Sequence, residues 1–357
     1  MAGQYQVDAG NEVYTVVDAE TTTYWAVITG MATDEIFGAL GALDLSVAVN
    51  RTGLGTKALA NGLYAITGYP AQSFPNLSST SYTVSYVLSA TGFRDLPVTV
   101  TIPVNATFPV SAPATAMRRL PVRIQGRVVT GTTRLPISGA AIVSIDNPSA
   151  PPAVHTTVLR SSLYFAHASG AAAQQVSIAT AGSALLTQDV TGGDRVLNLS
   201  ARTGLAANSI VRLTYASGVL LEYGVVDHLG PGAASAPGQV FLRYALNRSY
   251  PVAGTAVAFV NATPTGGAAT LSTDADADDG VLLASQLFSQ TVALETGGPL
   301  AEVHEVGALS DSDGYYGLDG VGRVQEIFLQ ATQGASHELA DWFVEYDQPL
   351  NVVDFRL

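Results

Sequence analysis

No cysteine occurs among the 357 residues, and Lys57 is the only lysine. Disulfides, thiolate metal sites and a cysteine nucleophile are thereby excluded. Charge is scarce too: Asp, Glu, Lys and Arg make up 13% of the chain, against roughly 25% in ordinary soluble domains. The balance is acidic, with 16 basic residues against 29 acidic ones and a formal net charge of −13. Nucleic acid is excluded as a partner, because phosphates are held by a basic stripe. The one basic cluster, Arg118, Arg119, Arg123 and Arg127, opens an alternating segment and reads as a solvated strand face. No apolar run reaches the ~18 residues of a membrane helix, so no membrane span is expected. Met1–Asp8 has no basic region followed by an apolar core, so no secretory leader is expected.

Sustained helical periodicity is also missing. Short helical turns are expected only at Thr33–Phe37 and Gln333–Leu339. What recurs is alternation with a period of two, as in Val122–Val129, Tyr82–Leu88 and Val98–Ile102. Bounded by Gly, Pro, Asn and Ser, such runs are half-buried strands. A chain of this length exceeds one ordinary sandwich and predicts several cores.

Phe108–Met117 combines two prolines with small residues and no alternation, and reads as a semi-rigid linker with a domain boundary in it. A second break falls at Asn147–Pro152, where adjacent prolines exclude a central strand. A third candidate is Thr296–Pro299.

Val122–Val129, a turn through Thr130–Gly139, and Ala140–Ile145 form strand, turn and strand. This resembles the opening hairpin of the carboxypeptidase-regulatory-like domain, a transthyretin-type β-sandwich. The closing half of that family carries an Asp-x-Asp-Gly-x-Tyr turn and two strands. Asp311-Ser312-Asp313-Gly314-Tyr315-Tyr316, followed by Val324–Ala331, is similar. In the family the halves lie close together, whereas residues 146 to 310 intervene here, so the resemblance implies a sandwich split by an insertion. Insertion at a loop tip is cheap, since closure entropy grows only logarithmically with length. A fainter version runs from Asn61–Ile66 to Tyr82–Phe93. Such a tandem with an embedded β-module resembles accessory proteins of phage-tail-like contractile injection systems.

The segment between the halves has strands of its own at Val196–Leu199, Ser209–Tyr215, Val219–Val226, Gln239–Tyr244 and Thr255–Val260. Five short strands with Gly-bearing turns predict a small barrel or compact sheet that folds by itself. Its turns, including Asp227–Gly232, are the expected partner-facing surface.

Catalytic equipment is thin. His155, His167, His228, His304 and His337 show no metalloprotease spacing, and His304 and Glu305 fall on opposite faces of a strand. No Gly-x-Ser-x-Gly elbow is present. Gly53-Leu54-Gly55-Thr56-Lys57 lacks the Gly-Lys-Ser/Thr core of a phosphate loop and reads as a turn. An enzyme would have to use carboxylates such as Asp227, Glu222 and Asp194. Alternate aspartates at Asp274, Asp276 and Asp278 make a calcium candidate, because hard cations take carboxylate oxygens. Asp279 stands where an EF-hand has Gly, and Ser285 where it has Glu, so a solvated acidic loop is the plainer reading. The Asp311–Gly314 turn needs no ion. Tyr14, Tyr24, Trp25, Trp342, Phe343 and Tyr346 could stack on sugars or serve a core.

The expectation is therefore an all-β chain of tandem Ig-like or transthyretin-like β-sandwiches with an inserted small β-barrel or β-sheet domain. An N-terminal sandwich spans 1–112, a second, split sandwich spans 113–152 and 306–357, and the insert spans 153–305. No cofactor is expected beyond the calcium candidate. The expected function is a non-enzymatic structural or adaptor subunit of a larger assembly, such as a contractile phage-tail-like particle, with other protein subunits or copies of itself as partners. A surface adhesin or glycan-binding protein is the alternative. The expected location is the cytoplasm, or a virion-like particle reached without a signal peptide.

Overall fold

The computed structural model describes residues 15–17, 23–39, 45–59, 61–216, 220–294, 302–348 and 350–357. It is nearly all β, with one four-residue helix, Pro70–Ser73, among the described residues. Two compact units are present, Met1–Leu120 and Pro121–Leu357.

In the first unit, one sheet runs in the order Thr15–Val17, Thr23–Asp34, Leu63–Gly68, Leu54–Ala58. The other is an antiparallel meander of Ser46–Val49, Tyr82–Ser89 and Leu96–Ile102. Alternation sends Val84, Tyr86, Leu88, Val98, Val100 and Ile102 inward to meet Val27, Ile28, Tyr64 and Ile66. The hydroxyls of Tyr64 and Tyr86 meet at 2.8 Å inside this core, which satisfies two phenols that burial would otherwise penalise.

The linker expected at Phe108–Met117 is instead part of this sheet. Val110–Ser111 and Thr115–Met117 both pair in parallel with Thr23–Asp34. Pro109 and Pro113 precede these strands rather than interrupting them, so each keeps its ladder donors. The unit accordingly runs to Leu120 rather than to 112. Thr33–Phe37 is not a helical turn either. It is a strand end followed by a tight turn, in which Asp34 Oδ1 accepts from the Ile36 amide at 2.8 Å.

In the second unit, Val122–Val129 pairs antiparallel with Tyr315–Val321 and in parallel with Leu350–Val352 and Phe355–Arg356. The facing sheet runs Ala308–Leu309, Ala141–Ile145, Glu326–Gln333, Ser336–Phe343. Gln333–Leu339 is thus a β-hairpin with Gly334 at φ +60, not a helical turn. Strands far apart in sequence share one core, including Ile124, Val128, Ile142, Leu318, Leu329 and Phe355. Gly126 is required at its place, since a Cβ there would lie 1.7 Å from the Val353 carbonyl oxygen.

The intervening segment forms an eight-stranded sheet. Its order is Val196–Leu199, Gly238–Leu242, Leu220–Leu229, Ile210–Tyr215, Ala256–Thr270, Ala172–Ala184, Val292–Leu294, Glu302–His304. A separate pair, His155–Val158 with Val281–Ala284, lies beside it. The insert is not self-contained as expected, because Val158 and Val281 are buried in the sandwich's own core. The third candidate boundary, Thr296–Pro299, lies outside the described residues.

Ile124 and Leu318 are register partners and fully buried. Ile124→Ala and Leu318→Ala should each cost about 2–5 kcal/mol. In a urea-denaturation double-mutant cycle they should couple by about 0.5–3 kcal/mol. Strict additivity would mean that the two halves do not share a core.

Candidate functional site

The second unit contains a polar cleft of about 620 Å3. Arg123 and Asp319 reach it from adjacent sandwich strands, while Arg160, Ser162, Asn247 and Arg248 reach it from turns of the insert. Asp319 ties the two sides together: Oδ1 accepts from Arg123 at 2.8 Å, and Oδ2 from Arg248 at 3.3 Å. Arg248 also donates to the Arg160 carbonyl at 3.0 Å. Gly317 makes room for Arg123, whose guanidinium would lie 2.3 Å from a Cβ at that position.

Deeper in the insert lies a buried polar network. Glu222, on the strand Leu220–Leu229, is fully buried and accepts from the Asn247 amide at 2.6 Å, the Tyr164 hydroxyl at 3.0 Å and the Tyr250 hydroxyl at 3.3 Å. Burial pushes its carboxyl up from the ordinary value, and the amide and phenol hydrogen bonds offset this only in part. Burial, reinforced by the charge of Glu222, raises the Tyr164 and Tyr250 phenols, so both stay protonated as donors.

Glu302 is the second buried carboxylate. Alternation along Glu302–His304 places Glu302 and His304 on one face and Val303 on the other. Glu302 Oε2 lies 2.5 Å from His167 Nε2, Oε1 lies 3.7 Å from His304 Nε2, and Oε1 also accepts from the amides of Tyr164 and Phe165. Burial alone would raise this carboxyl, but the His167 hydrogen bond and the His304 imidazole outweigh it and hold it below its ordinary value. His304 Nδ1 in turn meets Ser161 Oγ at 3.2 Å. Serine, imidazole and carboxylate stand here in the order of a nucleophile relay. The 3.7 Å between Glu302 and His304 is longer than a hydrogen bond, and both are fully buried, whereas Ser161 lines the cleft.

The other candidates scatter. Asp274 Oδ1 accepts from the Ser169 amide at 2.7 Å, and Asp276 Oδ2 pairs with Arg323 at 2.8 Å. Asp278 adopts φ 71, with its amide on the Leu163 carbonyl. Arg323 also pairs with Asp279 at 3.1 Å, so a guanidinium lies among the loop's carboxylates. Among the described residues no group of three or more His, Cys, Asp or Glu side chains could hold a metal ion. Asp227 is exposed beside His228, whose ring stacks on Phe241, while Asp194 caps the Thr191 turn. Neither joins Glu222. His155 pairs with Asp146, and His337 is exposed on its hairpin. Gly53 is a turn residue at φ +82. Tyr14 and the Tyr24 side chain lie outside the described residues. Trp25 belongs to the first unit, whereas Trp342 and Tyr346 are tied by hydrogen bonds into the second unit's sandwich. The Asp227–Gly232 turn is anchored from below. The buried Arg202 donates to the carbonyls of Gly230, Pro231 and Ala233 at 2.6, 3.2 and 3.1 Å.

No family model matches this chain, and no curated protein matches it. Solved structures similar to it are BcpA, the major pilin subunit of Bacillus cereus, and a variant of that pilin. Both are 8% identical, with 92% of this chain and 98% of the pilin covered and TM-scores of 0.18 and 0.17. At TM-scores this low the likeness carries no argument.

Two outcomes are expected. Glu302 is depressed in the folded state, so its contribution to stability is present above the unfolded carboxyl value and is lost as pH falls through the folded one. Glu222 is raised and acts oppositely, its contribution fading as pH rises through the folded value. Glu302→Gln should therefore cost about 3–5 kcal/mol at neutral pH, by removing the carboxylate partner of the buried His167, and should cost less at acidic pH. Urea midpoints across pH check this, and a pH-independent loss would refute it. For the acidic loop, calorimetric titration should give calcium affinity no tighter than about millimolar, because Arg323 already occupies Asp276 and Asp279 and the coordination set is incomplete.

Proposed function

We propose that the chain is a non-enzymatic structural or adaptor subunit of a larger protein assembly. The observation that carries this reading is the outer face of the second unit's sandwich. Ser336–Phe343 is the terminal strand of its sheet and exposes Leu339 at 48% and Phe343 at 63%. Register places half-buried Val143, Ile145 and Phe328 on that same face. Glu326, Gln330 and Asp341 stand among them on this face, and apolar side chains interspersed with polar ones beside an edge strand are the form of surface that pairs with a neighbour. The low charge of the chain is in keeping with this.

The finer reading takes the two sandwiches as carboxypeptidase-regulatory-like and the assembly as a contractile phage-tail-like particle. The paired halves of the second sandwich and the Asp311–Gly314 turn support it. In that turn Asp311 Oδ1 accepts from the Asp313 and Tyr315 amides at 2.9 and 2.8 Å. A glycan-binding role is the second reading, and the polar cleft is the observation that favours it.

Native mass spectrometry should find the chain in a defined complex that Leu339→Lys and Phe343→Glu dissociate without lowering the melting temperature. A monomer that also travels alone when isolated from its own cells would overturn the proposal.

A further inference from the structure

The cleft of the second unit has a charge pattern that narrows its ligand. Three arginines, Arg123, Arg160 and Arg248, line it together with three aspartates, Asp278, Asp311 and Asp319. The lining is formally neutral, so an anion would meet carboxylates and a cation would meet guanidinium groups. No net charge therefore draws either one in from solution. A hydroxyl differs from both, because it donates and accepts at once. Side by side, a carboxylate that accepts and a guanidinium that donates match a pair of neighbouring hydroxyls.

Three further observations point the same way. Asn247 adds an amide, with its Nδ2 on the Ser162 carbonyl at 3.4 Å. Tyr315 is 54% exposed at the cleft wall, and its ring is backed by Arg127 at 5.3 Å, leaving an aromatic surface held in place for C–H groups to pack on. Leu220 and Leu309 contribute apolar surface within the polar lining. The volume of about 620 Å3 lies within the range of small-molecule sites.

The cleft is also pre-formed. Asp319 holds Arg123 and Arg248 across it, and Gly317 and Gly320 leave no room for side chains, since a Cβ at Gly320 would lie 2.4 Å from the Gly280 amide nitrogen. Donors and acceptors fixed before binding lose little entropy when a ligand arrives.

We infer that this cleft binds an uncharged saccharide, with Asp319, Arg123 and Asn247 on its hydroxyls and Tyr315 against a sugar ring. The inference deepens the glycan-binding reading given second above, on which it rests, and is independent of the assembly role.

Saturation-transfer NMR on the full chain, with glucose, galactose, mannose, N-acetylglucosamine and a short glucan as probes, tests it. Inorganic phosphate and spermidine serve as the charged comparisons. At least one saccharide should bind saturably at millimolar concentration or below, and neither charged probe should displace it. Tyr315→Ala and Asn247→Ala are both outside the hydrophobic cores, and each should weaken that binding about tenfold, equivalent to about 1.4 kcal/mol, with the melting temperature unchanged. The inference fails if none of the saccharides binds, if phosphate or spermidine occupies the cleft in preference, or if saccharide binding survives both substitutions.

Discussion

The second unit depends on one pairing: Val122–Val129 against Tyr315–Val321. Neither strand pairs in a sheet with one near it in sequence. Once they are joined, Ala141–Ile145 can lie on Glu326–Gln333 and the sandwich core closes. The segment between them becomes a loop whose ends are already fixed. Its length adds little to the closure cost, because that cost rises only with the logarithm of length. Closure also explains why the insert shares the sandwich core through Val158 and Val281. Its entry strand, His155–Val158, and the strand it pairs with, Val281–Ala284, reach into that core.

The polar network follows from that geometry. Inside the insert, the backbone amides of Tyr164, Phe165, Asn247 and Arg248 donate to carboxylates rather than to a strand ladder. Buried amides require acceptors. Glu302 and Glu222 supply them, and His167, Tyr164 and Tyr250 supply the donors that make buried carboxylates tolerable.

Much of this architecture can be read in the residues themselves. Val122–Val129 alternates cleanly, and the Asp311–Gly314 turn announces the strand behind it. Thr115–Met117 escapes notice because three residues between prolines carry no period, and only the neighbouring strand makes them β. Glu302 and His304 were within reach, since a spacing of two on a strand puts them on one face. His167 was not, because nothing local links it to a residue 135 positions away. Arg202 was likewise hidden: its partners are backbone carbonyls, which every sequence possesses.

The parallel pairing at the edge of the sandwich has a mechanical consequence. The first strand of the unit, Val122–Val129, lies alongside its last two, Leu350–Val352 and Phe355–Arg356, all running in one direction. Tension between Pro121 and Leu357 would pull these neighbours along their own axes in opposite senses. Ladder bonds run across that axis, so they would bear the load together in shear instead of opening one after another. A unit threaded this way resists stretching through its ends far better than one whose terminal strands are antiparallel.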